Sequence, residues 1–201
     1  EANYQMFWAA LRPLLVDNAD ALKRLDNIRD GFTKAMNQEI ENMWTKKLGL
    51  INYDGSLVND MLKLMVHSQV DYTIFFRKLS NIPDKLSKIK ESFYFPSSEQ
   101  INGKWVDWLD RWRDHITRRG DQLKISTEMK RINPKYTWRE WLIAPAYEKA
   151  EQGDYNLIKE LQTVLANPYE EQSSDIEKKF DRLKPKEFFA TGGVSHYSCS
   201  S

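Results

Sequence analysis

Cys199 is the residue whose type and place come nearest to supporting chemistry alone. It is the single cysteine among 201 residues, third from the carboxyl end between Ser198 and Ser200, with Gly192-Gly193 a few residues before it. A thiol on a flexible, solvent-accessible segment exchanges with other thiols and disulfides. The plain alternative is an unreactive terminal cysteine, and the neighbouring residues favour neither. One cysteine excludes an internal disulfide and a thiolate-built zinc site. His67, His115 and His196 are far apart, with no two at helical ligand spacing, so no metal site is expected. With eight glycines and neither GxGxxG nor a phosphate-loop pattern, nothing in the chain cradles a nucleotide phosphate in the usual way. No Ser/His/Asp or Cys/His set stands out, so the expected catalytic, cofactor-binding and metal residues are none.

Two further constellations invite a functional reading. Trp105, Trp108, Leu109 and Trp112 make a helical stripe, and Arg111, Arg113, Arg118 and Arg119 lie around it. Bases stack on tryptophan and phosphates pair with arginine, so nucleic acid comes to mind. The tryptophan face is, however, the one a core claims, and Asp107, Asp110 and Asp114 interleave with the arginines at spacings that support the helix itself. Those aspartates, solvated beside arginines, stay ionised and make poor general acids. In DYTIFFRKLS, at 71–80, Tyr72 or Arg77 could bind a ligand; the plainer reading puts the aromatics in a core and makes Arg77 a structural ion-pair partner.

The elements that must position these groups are helical throughout. Met6, Phe7, Leu11, Leu14 and Leu15 recur at three-to-four spacing and predict a short helix interrupted at Pro13. From Leu22 to Trp44 the period holds for seven turns, predicting a long helix over 19–47 that Leu48-Gly49 ends. Ser56 is expected to cap the next helix and Asp71 the one after. Residues 81–98 shift to Pro, Ser, Lys and Asn, which predicts an exposed, mobile linker containing a short helix over 84–93. Thr137 and Glu140 have capping-box spacing, so a helix is expected to start at Trp138, place Trp138, Trp141 and Leu142 on one face, and kink at Pro145. Gly153 then ends it, Asp154 caps a helix carrying Leu157, Ile158, Leu161 and Leu165, and Asn167-Pro168 stops that one. A last helix, capped by Ser174 or Asp175, turns Ile176, Phe180 and Leu183 inward. The expected fold class is all-α, a multi-helix bundle, with one helical domain over 1–189 and a flexible tail over 190–201.

Thirty basic and 29 acidic residues leave a formal charge of +1, so no global field argues for nucleic acid or an acidic membrane. No apolar run approaches the roughly 20 residues that span a bilayer. The chain opens on Glu1 rather than Met, and the expectation is a piece of a longer protein.

Several stretches carry a resemblance: NPKY at 133–136, AYEKAEQGDYNLIKELQTVLANPYEEQ at 146–172, the closing SCSS, Lys47-Leu48-Gly49-Leu50, and DYTIFFRKLS. Together they resemble the carboxyl-terminal region of the selenoprotein O family, kinase-like protein adenylyltransferases. The resemblance implies the carboxyl-terminal helical part of a kinase-like large lobe plus an extension. The family transfers AMP from ATP, with magnesium or manganese, onto hydroxyl side chains of other proteins. Its catalytic and metal-binding residues precede the matched segment, so this chain alone is expected to be inactive, with no cofactor of its own. Its expected partners are the upstream kinase-like region and the protein substrates of AMPylation. Asp30-Gly31-Phe32 has the letters of a metal-binding Asp-Phe-Gly in the wrong order, inside a helical pattern, and takes no catalytic role. Cys199 occupies the position that holds selenocysteine in some members, which implies a redox-responsive group that bridges to a cysteine elsewhere in the protein. Lys184 to Phe189, where bacterial-type members carry a PPDW-like run, and the insert at 81–98 look eukaryotic, which implies a mitochondrial location. Without the family, the competing expectation is a free-standing helical protein-interaction module.

Overall fold

The computed structural model describes residues 2–189. They form ten α-helices and two 3-10 turns, and the only β pairing among them is an isolated antiparallel bridge between Val70 and Phe93. The all-α expectation holds. The chain divides into two compact units between Thr45 and Lys46.

The first unit is a helical hairpin. Helix α1 (Ala2–Leu11) passes into a 3-10 turn (Arg12–Leu15) at Pro13, which has no amide to continue the α ladder. Helix α2 (Ala19–Lys47) then returns along it. Tyr4 stacks on Phe32 with ring centroids 3.8 Å apart, and the Trp8 indole N–H donates to Asp26 at 3.1 Å. Arg12 pairs with Asp26 at 2.7 Å, and the Arg29 guanidinium lies 4.4 Å over the Trp8 ring. These contacts close one side only. No residue from Ala2 to Thr45 is buried.

The second unit owns the core. Helices α3 (Gly55–His67), α4 (Tyr72–Leu79), the single turn α5 (Ser87–Lys90) and α6 (Glu99–Arg119) surround Phe75 and three tryptophans. Trp105, Trp108 and Trp112 are fully buried. A buried indole needs a hydrogen-bond acceptor, and each has one: Ser68 Oγ at 2.8 Å, the Leu57 carbonyl at 2.8 Å and the Leu48 carbonyl at 2.9 Å. Gly49 joins α2 to this core with φ +66°, and a Cβ there would stand 2.7 Å from Met129 Sδ and 2.9 Å from Ile125 Cγ2. Only glycine meets both demands.

Helix α7 (Gln122–Ile132) contributes Ile125 and Met129 to that core. Helices α8 (Glu140–Glu151), α9 (Asn156–Ala166) and α10 (Ser174–Phe180) enclose a second apolar cluster, with Trp141, Leu142, Ala146, Leu161, Val164 and Phe180 buried beside Tyr136.

Several local expectations are corrected. Asp54, not Ser56, caps α3, accepting from the Leu57 amide at 2.9 Å. Helix α8 starts at Glu140 rather than Trp138: Thr137 turns its hydroxyl toward Thr73 at 3.3 Å, and Trp138 is left exposed. Ser173 caps α10 in place of Ser174 or Asp175. In the 81–98 region Ile89 and Phe93 are buried, so the segment is pinned to the core and only Ser87–Lys90 is helical. Its polar composition concealed two apolar anchors. A 3-10 turn at Lys186–Phe189 follows α10, with Phe188 against Trp141 and Phe189 against Tyr94.

A buried charged junction and the candidate functional site

The connection between α7 and α8, residues 133–139, is short, and it buries Asn133, Lys135, Tyr136 and Arg139. Charged groups leave water only when paired, so their partners define the site. Arg139 forms a bidentate pair with Asp71, Nη1 to Oδ2 at 2.7 Å and Nη2 to Oδ1 at 3.1 Å. Asp71 is also the cap of α4, accepting from the Ile74 amide at 3.0 Å, and it accepts the Tyr94 hydroxyl at 2.8 Å. Burial and then that bond to a carboxylate push the Tyr94 phenol up to about 12.

A second group gathers around Lys135. Its ammonium donates to Glu171 and Glu177, with Asp181 3.8 Å away. Burial opposes the charge, but the two carboxylates outweigh it and hold the group above its ordinary value. Glu171 also takes Arg77 Nη2 at 2.6 Å. Burial pushes the Glu171 carboxyl up, yet the bonds from Lys135 and Arg77 win and bring it down to about 2. Burial raises the Asp181 carboxyl, whose Oδ1 has no protein partner.

The third part is Lys47. Its ammonium donates to Asn133 Oδ1 at 2.8 Å and sits 4.3 Å over the Phe76 ring and 5.1 Å over that of Tyr72. Asn133 returns a bond from Nδ2 to the Lys47 carbonyl at 2.9 Å and another to Ser80 Oγ at 3.0 Å. Burial lowers the Lys47 ammonium to about 8.

This is the chemistry of a clamp. Asp71, Glu171, Glu177 and Asp181 face lysine or arginine nitrogen, and the cations face carboxylates, carbonyls or aromatic rings. Carboxylates engaged in this way do not fit a divalent metal, and cations so engaged do not fit a triphosphate. Among the described residues no group of three or more His, Cys, Asp or Glu could hold a metal ion.

The residues singled out from sequence fall as follows. Cys199 and His196 lie outside the described residues. Arg77 is buried, and besides Glu171 it donates to the carbonyls of Lys130 and Asn133 at 3.1 and 3.3 Å, the structural role. Tyr72 is half exposed under Lys47. The three tryptophans belong to the core, so their faces are closed to bases. Asp30, Gly31 and Phe32 lie within α2. His67 bonds the Lys63 carbonyl at 2.7 Å and His115 pairs with Asp54 at 3.2 Å. Sequence reasoning missed the junction itself. Its one visible signal was that NPKY and DYTIFFRKLS both carry the family resemblance; the Asp71–Arg139 pair spans 68 positions and has no local spacing.

The kinship extends over most of the chain. Residues 1–166 match the family described as protein adenylyltransferase SelO. The chain belongs to the SelO family. Relatives described as protein nucleotidyltransferase YdiU include one from Flavobacterium johnsoniae, 30% identical over 96% of this chain and 38% of its own length. Another, from Vibrio parahaemolyticus, is 32% identical over 96% of this chain and 38% of its own. A third, from Tolumonas auensis, is 29% identical over 99% and 39%. The chain therefore spans about two fifths of the length of the curated SelO-family relatives it matches.

These relatives are bacterial, which overturns the mitochondrial expectation. The features behind that expectation have a packing role instead: Ile89 and Phe93 anchor the 81–98 segment, and Phe188 and Phe189 pack on aromatic neighbours. No helix of the described residues is long and apolar enough to cross a membrane.

Proposed function

We propose that this chain is the carboxyl-terminal, non-catalytic segment of a protein adenylyltransferase that transfers AMP from ATP to hydroxyl side chains of proteins. Family membership and the two-fifths coverage support the reading. The observation that carries it is the bare apolar surface of the first unit. Met6, Phe7 and Leu14 on the α1 side are 74%, 59% and 77% exposed, and Ile28, Met36, Ile40 and Met43 continue along α2. A helix pair that buries no residue does not sustain itself in water, since tertiary packing supplies most helix stability. Such a face belongs against more protein. In this reading the partner is the kinase-like remainder of the same polypeptide, which holds ATP, magnesium or manganese and the reacting groups.

The test has two arms. The chain, titrated calorimetrically with ATP and magnesium, is expected to show no binding, and micromolar affinity would overturn the reading. Co-expressed with the rest of the protein, it is expected to co-purify, and Met36→Glu/Ile40→Glu/Met43→Glu is expected to abolish this. Failure of the unsubstituted pair to associate would favour the free-standing interaction module. Redox control through Cys199 is part of the proposal: in the complete protein Cys199→Ser is expected to remove any response of AMP transfer to oxidant.

A further inference from the structure

Three hollows on the second unit have polar residues in their lining, and in two of them an ion pair neutralises part of the charge. In one, His115 meets Asp54 at 3.2 Å; in another, Arg119 pairs with Glu128 and donates to the Gly49 carbonyl at 3.1 Å. The third, of about 330 Å³, runs between α3 and α6.

Each helix gives this cleft one stripe. Helix α3 contributes Asp60, Lys63, Leu64 and His67, at offsets of three and four; α6 contributes Ile101, Lys104, Trp108 and Arg111 at the same spacing, with Asp107 alongside. Leu64 and Trp108 are buried, and with Ile101 they make an apolar floor. The rim is charged and unevenly satisfied. Arg111 and Asp60 neutralise each other at 2.8 Å. Among the described residues Lys63 and Lys104 meet no carboxylate at ion-pair distance, and both are exposed. The His67 Nδ1–H donates to the Lys63 carbonyl at 2.7 Å. Asp107 is the one carboxylate of the lining outside an ion pair, so the free charge is net positive.

We propose that this cleft docks a short acidic segment of a partner polypeptide, one large apolar side chain on the floor and its flanking carboxylates against Lys63 and Lys104. The volume is at the low end for ligand pockets and is enough for one large side chain. The hollow is partly open to solvent between the two helices, which suits a peptide lying in a helical groove. Charge complementarity selects the acidic sequence and speeds its arrival. The inference is independent of the AMP-transfer reading, because it concerns binding by this chain.

The experiment is fluorescence anisotropy of the full chain with a short labelled peptide, one leucine flanked by glutamates. Saturable binding is expected, weakened about tenfold by Lys63→Glu/Lys104→Glu and by added salt. Both lysines are exposed, and circular dichroism of the variant, with Lys63→Gln/Lys104→Gln as a second pair, separates lost binding from lost fold. Replacing the peptide leucine by alanine is expected to abolish binding. No binding of the acidic peptide, equal binding of a lysine-flanked one, or indifference to both lysine pairs would overturn the proposal. So would adsorption to phosphatidylserine vesicles through Lys63 and Lys104 without peptide binding.

Discussion

Lys47 and Asn133 exchange two hydrogen bonds across 86 positions, ammonium to side-chain oxygen at 2.8 Å and side-chain amide to backbone carbonyl at 2.9 Å. The last residue of α2 is thereby fixed to the loop that follows α7, within the second unit. The ammonium finds a neutral oxygen and two aromatic faces there, and no carboxylate among the described residues. That choice sets its pH behaviour.

The folded chain holds the Lys47 proton less tightly than the unfolded chain does, about 8 against 10.5. The unfolded state binds more protons between those values, so stability rises with pH across that window. Thermal unfolding is expected to show a gain of roughly 2 kcal/mol between about pH 8 and 9.5, at about 1.4 kcal/mol per pH unit. It should be read below about pH 9.5, before tyrosines ionise. Lys47→Met is expected to flatten the rise.

Asp71 and Arg139 are both buried, with side chains 7% and 9% exposed. Removing one strands the other without its counter-charge, at a cost of about 3–5 kcal/mol. Arg139→Met is therefore expected to lower the urea midpoint sharply, and Asp71→Asn to do so while keeping the α4 cap. The double variant is expected to be less unstable than the sum of the singles, and simple additivity would show that the pair does not couple.

Glu171 ties Arg77 to Lys135, and its folded pKa lies at about 2 against an ordinary 4.5. Its contribution is present above 4.5 and disappears as pH falls toward 2. The side chain is 57% exposed, so solvent screening reduces the effect to about 1 kcal/mol. Glu171→Gln is expected to make acid unfolding shallower over that range, measured by tryptophan fluorescence.

Gly49→Ala combines a left-handed backbone with a Cβ against Met129 and Ile125. Strain and overpacking together are expected to destabilise by about 2–4 kcal/mol in urea denaturation. Gly31→Ala, where an added Cβ meets nothing within 4 Å, is expected to be neutral or mildly stabilising.

Sequence periodicity located α2 to the residue and put Trp105, Trp108 and Trp112 on one face, because those signals repeat every turn. It misplaced the start of α8 because Thr137 has a choice between a local cap and Thr73, 64 positions away, and only the packed chain offers the second. The same limit hid the clamp. Asp71 was visible as a cap and Arg77 as an ion-pair partner, but the convergence of Arg139 and Tyr94 on Asp71, and of Arg77 and Lys135 on Glu171, is a property of three-dimensional neighbourhood.

The amino-acid sequence by itself determined the helical class, the apolar faces at three-to-four spacing and the kinship, since each rests on residues near one another along the chain or on their order. Tertiary structure alone decided which charges leave water together, which apolar stripe is covered and which stays bare. Burial depends on what arrives from distant positions, and desolvation turns an ordinary lysine or glutamate into one whose proton affinity reports the fold.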